Sequence, residues 1–264
     1  MKEYAFLLIF LLIAPAGFAQ TPATDSAVEI SAAGSLEWQR GEKAYIAKGS
    51  VTVVKDNMHL SCDKLTASYA TDQASTSITV ITAEGHVHFT AQGHEAFGDH
   101  AVYDLQTEIV TLTGKDLRLV TPEEIVTAKD KIVYIRPENR LNAVGYAKAT
   151  KNGDAISADT LSAFFDEKGQ NALELRKIEA ENNVVITTAT EKVFGSSGVW
   201  DAKTQKATLE GPVQIEQGQS HLTGDKVVVD MKTGLSQLFA GADEQGGNGR
   251  VKGVFYPHKK ELKK

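Results

Sequence analysis

The stretch Ala47-Lys-Gly-Ser-Val-Thr-Val53, with Asp63 placed 14 residues after its glycine, is the first of six copies of one pattern. The offset is 14 residues in every copy except the third, where it is 16, and successive copies begin 29 to 37 residues apart. Self-similarity at such a period predicts a repeat architecture, in which each unit buries its apolar face against its neighbours. The anchor pairs are Gly49/Asp63, Gly85/Asp99, Gly114/Asp130, Gly145/Asp159, Asn182/Ser196 and Gly211/Asp225.

Apolar side chains alternate with polar ones after each anchor glycine. An apolar pair occupies the positions two and four residues on, and Leu60 holds an equivalent place before Asp63. This period of two predicts strands with one buried face. The pairs are Val51/Val53, Val87/Phe89, Ala147/Ala149, Val184/Ile186 and Val213/Ile215, and in the third copy the pair is shifted by one residue to Leu117/Leu119.

The alternation loses its parity at each anchor aspartate. Small or apolar residues stand one residue before it and two residues after it, as Cys62 and Leu65 do around Asp63. A strand that keeps one face inside across such a step contains a bulge or corner. We expect the carboxylate to accept hydrogen bonds from local backbone N–H groups there. The aspartates are interpreted as structural rather than metal-binding or catalytic, because they recur once per unit instead of converging in one place.

Each repeat is therefore predicted to be two long antiparallel strands, one bent at glycine and one at aspartate. The predicted fold is all-β, an elongated half-solenoid of stacked bent hairpins whose apolar faces line a trough. The sequence leaves open whether this trough is an open groove or a closed core. The first strand, around Ala44–Val54, has no charged or proline block and is expected to be an exposed edge that pairs with itself or a partner. Asn182 and Ser196 lead us to expect an irregular fifth unit.

The first residues resemble an export signal. An apolar run from Ala5 to Ala14 is followed by Pro15 and the small-residue site Gly17-Phe-Ala19. This pattern is typical of a secretory signal peptide, and the run is shorter than the roughly 20 residues of a membrane span. We expect cleavage after Ala19, a mature N-terminal segment at 20–30, a repeat domain at 31–240 and a Gly-rich, then basic tail at 241–264. The alternative is an uncleaved inner-membrane anchor.

Composition excludes several classes of function. The net charge of −6 gives no electrostatic footprint for nucleic acid. The single cysteine, Cys62, cannot form an internal disulfide and is interpreted as a small buried residue.

The tail from Gly241 onward lies outside the repeat pattern. In it, Val251–Tyr256 would either add as a strand or remain disordered, and the lysines beyond it would meet anionic phosphate or a membrane surface.

Candidate chemistry is sparse along the chain. Four histidines lie between His86 and His100, but Val87 and Phe89 take the inward face, so His86 and His88 should point outward without completing a metal site. The carboxylates Glu123 and Glu124 fall in a predicted loop and are interpreted as solvated. The sequence contains no nucleophile elbow, phosphate loop or HExxH motif. We therefore expect neither catalysis, nor a cofactor, nor a metal.

The recurrent unit, Ala-x-Gly-x-Val-x-Val and then Ala/Gly-Asp-x-apolar-x-Tyr/Phe-Asp, resembles the OstA-like (LptA) family of lipopolysaccharide transport proteins. The resemblance covers roughly Ser31 to Phe239. It is carried by Ala47–Val53, Ala83–Phe89, Gly98–Asp104, Ala158-Asp159, Leu209–Val213 and Gly224-Asp225.

The resemblance implies a twisted β-jellyroll whose interior groove takes the acyl chains of lipopolysaccharide, its lipid A portion. The inward pairs given above, together with Leu60, would be the lipid-binding residues. The family also implies a periplasmic protein for outer-membrane assembly that works in a bridge of jellyrolls joined edge to edge. Its partners would be an LptC-like inner-membrane protein, an LptD-like outer-membrane protein and further copies of the chain, head to tail.

Three other readings remain open. A carbohydrate-binding or carbohydrate-active β-solenoid would need acids or aromatic residues clustered on one outer face, whereas the seven Tyr and two Trp are scattered along the sequence. A scaffold would use its edges, and its interior would simply be core. A membrane-anchored LptC-like homologue would keep the first segment.

Overall fold

The computed structural model describes residues 28–71, 76–168, 172–230, 232–233, 235–241 and 249–256. Within them the chain forms eighteen antiparallel strands and one short 3-10 helix, Arg136–Glu138. The predicted all-β stack of antiparallel bent hairpins is confirmed. The predicted signal peptide, Met1 to Ala19, and the lysines after 256 lie outside the described residues. The strands are β1 (Glu29–Ser31), β2 (Ser35–Gln39), β3 (Ala44–Lys55), β4 (Met58–Thr71), β5 (Thr76–Ala91), β6 (His94–Asp104), β7 (Ile109–Thr113), β8 (Arg118–Val120), β9 (Glu124–Thr127), β10 (Lys131–Ile135), β11 (Arg140–Lys151), β12 (Asp154–Lys168), β13 (Ala172–Thr187), β14 (Lys192–Asp201), β15 (Lys206–Gln217), β16 (Ser220–Asp230), β17 (Leu235–Phe239) and β18 (Lys252–Val254).

Neighbouring strands pair in chain order, so that one hydrogen-bonded ladder runs from end to end. Strands β3 to β6 and β11 to β16 pair in succession. At the N-terminal end β1 and β2 both pair with β3, and at the C-terminal end β17 and β18 both pair with β16. The prediction that Ala44–Val54 is the exposed edge is therefore wrong, because two short strands that the repeat pattern does not mark cover it.

The anchor glycines form the corners of the bent strands. The φ angles of Gly49, Gly85, Gly145 and Gly211 are 85°, 76°, 88° and 92°, respectively. The pairing register slips by one residue at each of them. Asn182 has φ 61° at the same slip in the fifth unit. Asparagine tolerates this left-handed conformation better than most residues, so the fifth unit is regular and the expectation of an irregular one is wrong.

Each anchor aspartate meets the corner of the following unit. Asp99 accepts a hydrogen bond from the Lys115 N–H at 2.9 Å, 16 residues ahead, and Asp225 accepts one from the Gly241 N–H at 2.6 Å. For these two aspartates the expectation of local backbone donors is wrong, because the donating N–H groups lie at the neighbouring corner. Gly241 thus takes a seventh corner position. The expectation that the tail lies outside the repeat pattern is therefore wrong for its first residue, Gly241.

The third unit departs from two continuous strands. Its glycine strand is split into β7 and β8 and its aspartate strand into β9 and β10, with Lys115 to Leu117 and Ala128 to Asp130 outside regular pairing. Strand β6 pairs with both β7 and β8, and β11 pairs with both β9 and β10. The two extra residues of this copy open the corner instead of forming a one-residue bulge, which corrects the prediction of two long strands in every repeat.

We expect Gly145→Ala to destabilise the fold more than Gly153→Ala. Both glycines have positive φ, 88° and 92°, so both substitutions force alanine into the left-handed region, at about 1–2 kcal/mol. A Cβ at 145 would also overlap the Asp130 carboxylate, whereas a Cβ at 153 would meet nothing within 4 Å. The overlap should add about 1–3 kcal/mol. Urea unfolding of both variants measures the difference, and equal losses would contradict the corner contact.

Candidate binding trough

Two inward-facing apolar ladders form the walls of the trough, one on each side of the line of corners. Each ladder contributes one residue per strand, paired across every strand boundary, and members of both belong to one buried cluster. Ladder 1 is Leu36, Ala47, Leu65, Ala83, Ala101, Leu112, Ile132, Ala143, Leu161, Ala180, Gly198, Leu209, Val227 and Leu238. Ladder 2 is Ile30, Val53, Leu60, Phe89, Ala96, Leu119, Val126, Ala149, Ile156, Ile186, Val193, Ile215, Leu222 and Gly253.

The thirteen residues that the sequence suggests for the groove come together in this trough. Nine of them are buried within the cluster, and the other four, Val53, Leu60, Phe89 and Ile186, are half-buried against it. They cover ladder 2 and the row beside the corners. Ladder 1 was missed as a site, although the apolar residue two positions after each anchor aspartate, such as Leu65 or Leu161, marks it in the sequence.

Burial varies along ladder 2. At the N-terminal side Val53, Leu60 and Phe89 are adjacent across strands and half-buried; we call them the N-terminal section. Beyond the middle of the ladder Ile156 and Ile186 are half-buried and form the C-terminal section, after which Val193 and Ile215 are buried again, 4% and 6% exposed. Between the two sections Leu119, Val126 and Ala149 are 2%, 4% and 5% exposed and form a closed waist. Ladder 2 is thus fully buried at the waist and partly exposed on both sides of it.

A buried ion pair lies at the waist. Lys151 is paired directly across from Glu124, and its Nζ lies 3.2 Å from Glu124 Oε1 and 2.8 Å from Glu123 Oε2. Burial opposes protonation of Lys151, yet its hydrogen bonds to the two carboxylates prevail, and its pKa lies above the ordinary value. The prediction that both glutamates are solvated is wrong for Glu124, because it begins β9 on the inward face.

His86 and His88 point outward, as the alternation predicts. The His86 side chain is 88% exposed, and its Nδ1 lies 2.7 Å from Asp63 Oδ2, a contact that raises the pKa of His86. His88 lies 2.7 Å from Glu95 and stacks on Phe97 on the outer face. Among the described residues, no group of three or more His, Cys, Asp or Glu side chains is arranged to hold a metal ion.

An aromatic stack occupies the inner face at the N-terminal end. Trp38 and Tyr45 stack with ring centroids 5.9 Å apart, Trp38 Nε1 donates to the Tyr69 hydroxyl at 3.0 Å, and the Arg40 guanidinium lies over the Trp38 ring. Trp38 is 55% exposed. These aromatic residues stand on three successive strands and strand pairing brings them together, so the interpretation that the aromatic residues are scattered is wrong for these three.

Both ends of the trough expose apolar side chains. Leu36 and Trp38 on β2 are exposed at one end, and at the other Leu235 and Phe239 are exposed on the face of β17 opposite to the ladder 1 residue Leu238. The N-terminal edge also carries charge, because Glu37 pairs with Lys48 at 2.8 Å on the opposite face of β2. Hydrogen bonds from Lys48, Ser35 and Gln39 lower the pKa of Glu37 to about 2. Strand β18 confirms that the tail segment around Lys252 adds to the sheet, rather than being disordered there.

No helix among the described residues has the length and apolar character needed to cross a membrane.

Comparisons with known proteins bear on the repeats as a whole. A family model described as "LptA/(LptD N-terminal domain) LPS transport protein" matches residues 30–140, 126–235 and 192–253. An uncharacterised protein of Rhizobium meliloti (strain 1021) is 25% identical over 129 residues, 47% of this chain and 69% of that protein. The crystal structure of LptH from Pseudomonas aeruginosa, titled the LptA homologous periplasmic component of a lipopolysaccharide transport device, matches 88% of this chain and 96% of its own at 11% identity. Its TM-score is 0.23, which is too low to establish a common fold.

Proposed function

The chain belongs to the LptA/(LptD N-terminal domain) LPS transport protein family, and on that premise we propose that its trough carries lipopolysaccharide by holding the acyl chains of lipid A. The observation that supports this proposal most is the pair of continuous apolar ladders that line the trough from end to end. Acyl chains gain about 0.8 kcal/mol per buried CH₂, so several chains in one trough would bind tightly without any covalent step. We propose a carrier protein and not an enzyme.

The half-buried ladder residues are the proposed contacts. Val53, Leu60, Phe89 and Ile186 present apolar surface that is packed on one side and still accessible on the other. Residues beside the corners, such as Val51 and Ala147, are each 0% exposed and would touch lipid only if the trough widens. Contact should therefore begin at the half-buried positions.

We expect lipopolysaccharide to cross-link to Phe89 and not to His88. Benzoylphenylalanine at 89 would face the trough, whereas at 88 it would face outward beside Phe97. The measurement is ultraviolet cross-linking in cells, followed by detection of lipid adducts on the periplasmic chain. The mass of that chain also reports whether it starts at Gln20, as the proposed signal peptide requires.

Equal labelling at both positions, or none at 89, would contradict the proposal that the chain is a lipid carrier.

The carbohydrate-binding alternative is favoured by one observation, the exposed Trp38–Tyr45 stack beside Arg40. The same assay with delipidated polysaccharide separates the two, because the carrier predicts no competition from the polysaccharide.

We further propose that the chain works in the periplasm between an LptC-like inner-membrane protein and an LptD-like outer-membrane protein. Exposed apolar residues at both edges support joining of jellyrolls end to end. Ladder 1, which ends at Leu36 and at Leu238, would then continue into the next molecule. The repeat domain at 31–240 would be the unit that joins, with the strand of the 241–264 tail forming part of one edge.

We expect Leu36→Lys to weaken head-to-tail self-association. Leu36 is 64% exposed at the end of ladder 1, and a lysine at an exposed edge opposes pairing with another strand. Val199→Lys is the matched control, since Val199 is 44% exposed on the central strand β14. Light scattering across a concentration series gives the molar mass. A parent chain that stays monomeric, or equal loss in both variants, would contradict edge association.

A further inference from the structure

The trough buries charge at one place among its described residues. Glu124 and Lys151 are 3% and 9% exposed, and every other described residue with comparable burial is apolar. Lys151 continues the inward alternation of Ala147 and Ala149, and Glu124 stands two residues before Val126 on the same face. Their cross-strand pairing therefore places the ion pair inside the trough, at the outer side of the waist.

Stability alone does not account for this pair. Removing two charges from water is costly, and well-packed apolar residues of similar volume are often neutral or more stabilising in such a place. The equivalent positions in the N-terminal section are Lys55, Met58 and Ala91, and Lys55, the one charged residue among them, is not buried. The ion pair therefore distinguishes the waist from the apolar sections beside it.

A closed waist separates two partly open sections. Leu119, Val126 and Ala149 leave almost no accessible surface, whereas Leu60 on one side and Ile156 on the other are half-buried. An acyl chain that lay across the waist would have to displace the Lys151 hydrogen bonds without replacing them. Leaving buried charges unpaired in this way is strongly unfavourable.

We propose that the trough contains two separate acyl-chain sites, one in the N-terminal section and one in the C-terminal section, and that the Lys151–Glu124 pair keeps the waist closed between them. The ligand class is an amphiphile with several acyl chains, so the inference rests on the proposed function. Lipid moves from one site to the other only when the ion pair between Lys151 and Glu124 is broken.

Photo-reactive leucine at three places on ladder 2 gives a direct test. Leu60 lies in the N-terminal section and Leu119 in the waist, and Ile156→Leu provides a leucine in the C-terminal section. Photo-leucine, incorporated in place of leucine, keeps almost the same shape. After irradiation with the purified lipid portion of lipopolysaccharide, peptide masses locate the adducts. We expect adducts at 60 and 156 and at least tenfold fewer at 119.

A change at the ion pair makes the test specific. Glu124→Gln removes the buried carboxylate, and we expect adducts at 119 to rise several-fold. Glu123→Gln is the matched control, because the Glu123 side chain is 64% exposed and its loss leaves the Glu124–Lys151 contact in place. Equal adducts at all three positions while the ion pair is intact, or no rise at 119 in Glu124→Gln, would overturn the inference alone. Absence of adducts at every position would overturn the proposed function and this inference with it.

Discussion

Replacing Leu209 with alanine is expected to lower the free energy of unfolding by about 2–5 kcal/mol. Leu209 is 1% exposed and lies on ladder 1, where it fills the space beside two glycines of β14. A Cβ built at Gly195 would lie 3.2 Å from Leu209, and one at Gly198 would lie 3.5 Å from it. Glycines have no side chain that could move into a cavity left by alanine, so the loss should fall in the upper part of that range.

The measurement is urea unfolding of Leu209→Ala, with Leu235→Ala as control. Leu235 is 55% exposed on the edge strand, and its truncation should change stability by no more than about 0.5 kcal/mol. Adding Gly198→Ala to Leu209→Ala should recover part of the loss, because alanine fits at 198 with ordinary contacts. A loss at Leu209 as small as that at Leu235 would show that the trough is not packed as described.

Phe89→Asp is expected to reduce retention of lipopolysaccharide by at least about tenfold, which corresponds to about 1.4 kcal/mol of binding free energy. Phe89 is half-buried in the N-terminal section, between Leu60 and Ala96 on ladder 2. A carboxylate there would have to lose its water when an acyl chain arrives. The measurement is native mass spectrometry of the chain with lipopolysaccharide and with its lipid portion.

His88→Asp is the control for this prediction. The position is adjacent in sequence but lies on the outer face beside Phe97, so its charge does not meet the lipid. Phe89→Ala removes the apolar surface without adding charge and should weaken retention by a smaller factor. Loss of binding in His88→Asp equal to that in Phe89→Asp would move the contact surface out of the trough.

The repeat period and the alternation were enough to predict most of the fold. Gly49, Gly85 and Gly145 are recognisable because a sharp corner needs a left-handed residue, and glycine adopts that conformation at little cost. The inward pairs, such as Val51/Val53, follow because side chains on one face of a strand recur every second residue. These rules act within one strand, so a single sequence shows them.

Pairing between strands was harder to predict. The bond from the Lys115 N–H to Asp99 links neighbouring units, and no pattern within one copy indicates it. The Trp38–Tyr45–Tyr69 stack likewise depends on register across three strands. The split third unit shows in the sequence only as an offset of 16 residues in place of 14.

The sequence by itself determined a β-repeat stack with glycine corners and an apolar inner face, because local conformation and period-two burial are properties of short segments. Only the tertiary structure decided where the trough is open and where it is closed. The half-buried Leu60, the closed Leu119 and the buried Lys151–Glu124 pair all have the same inward alternation. Their burial differs because it depends on what the facing ladder and the neighbouring strands place against them, and the alternation within one strand does not specify that.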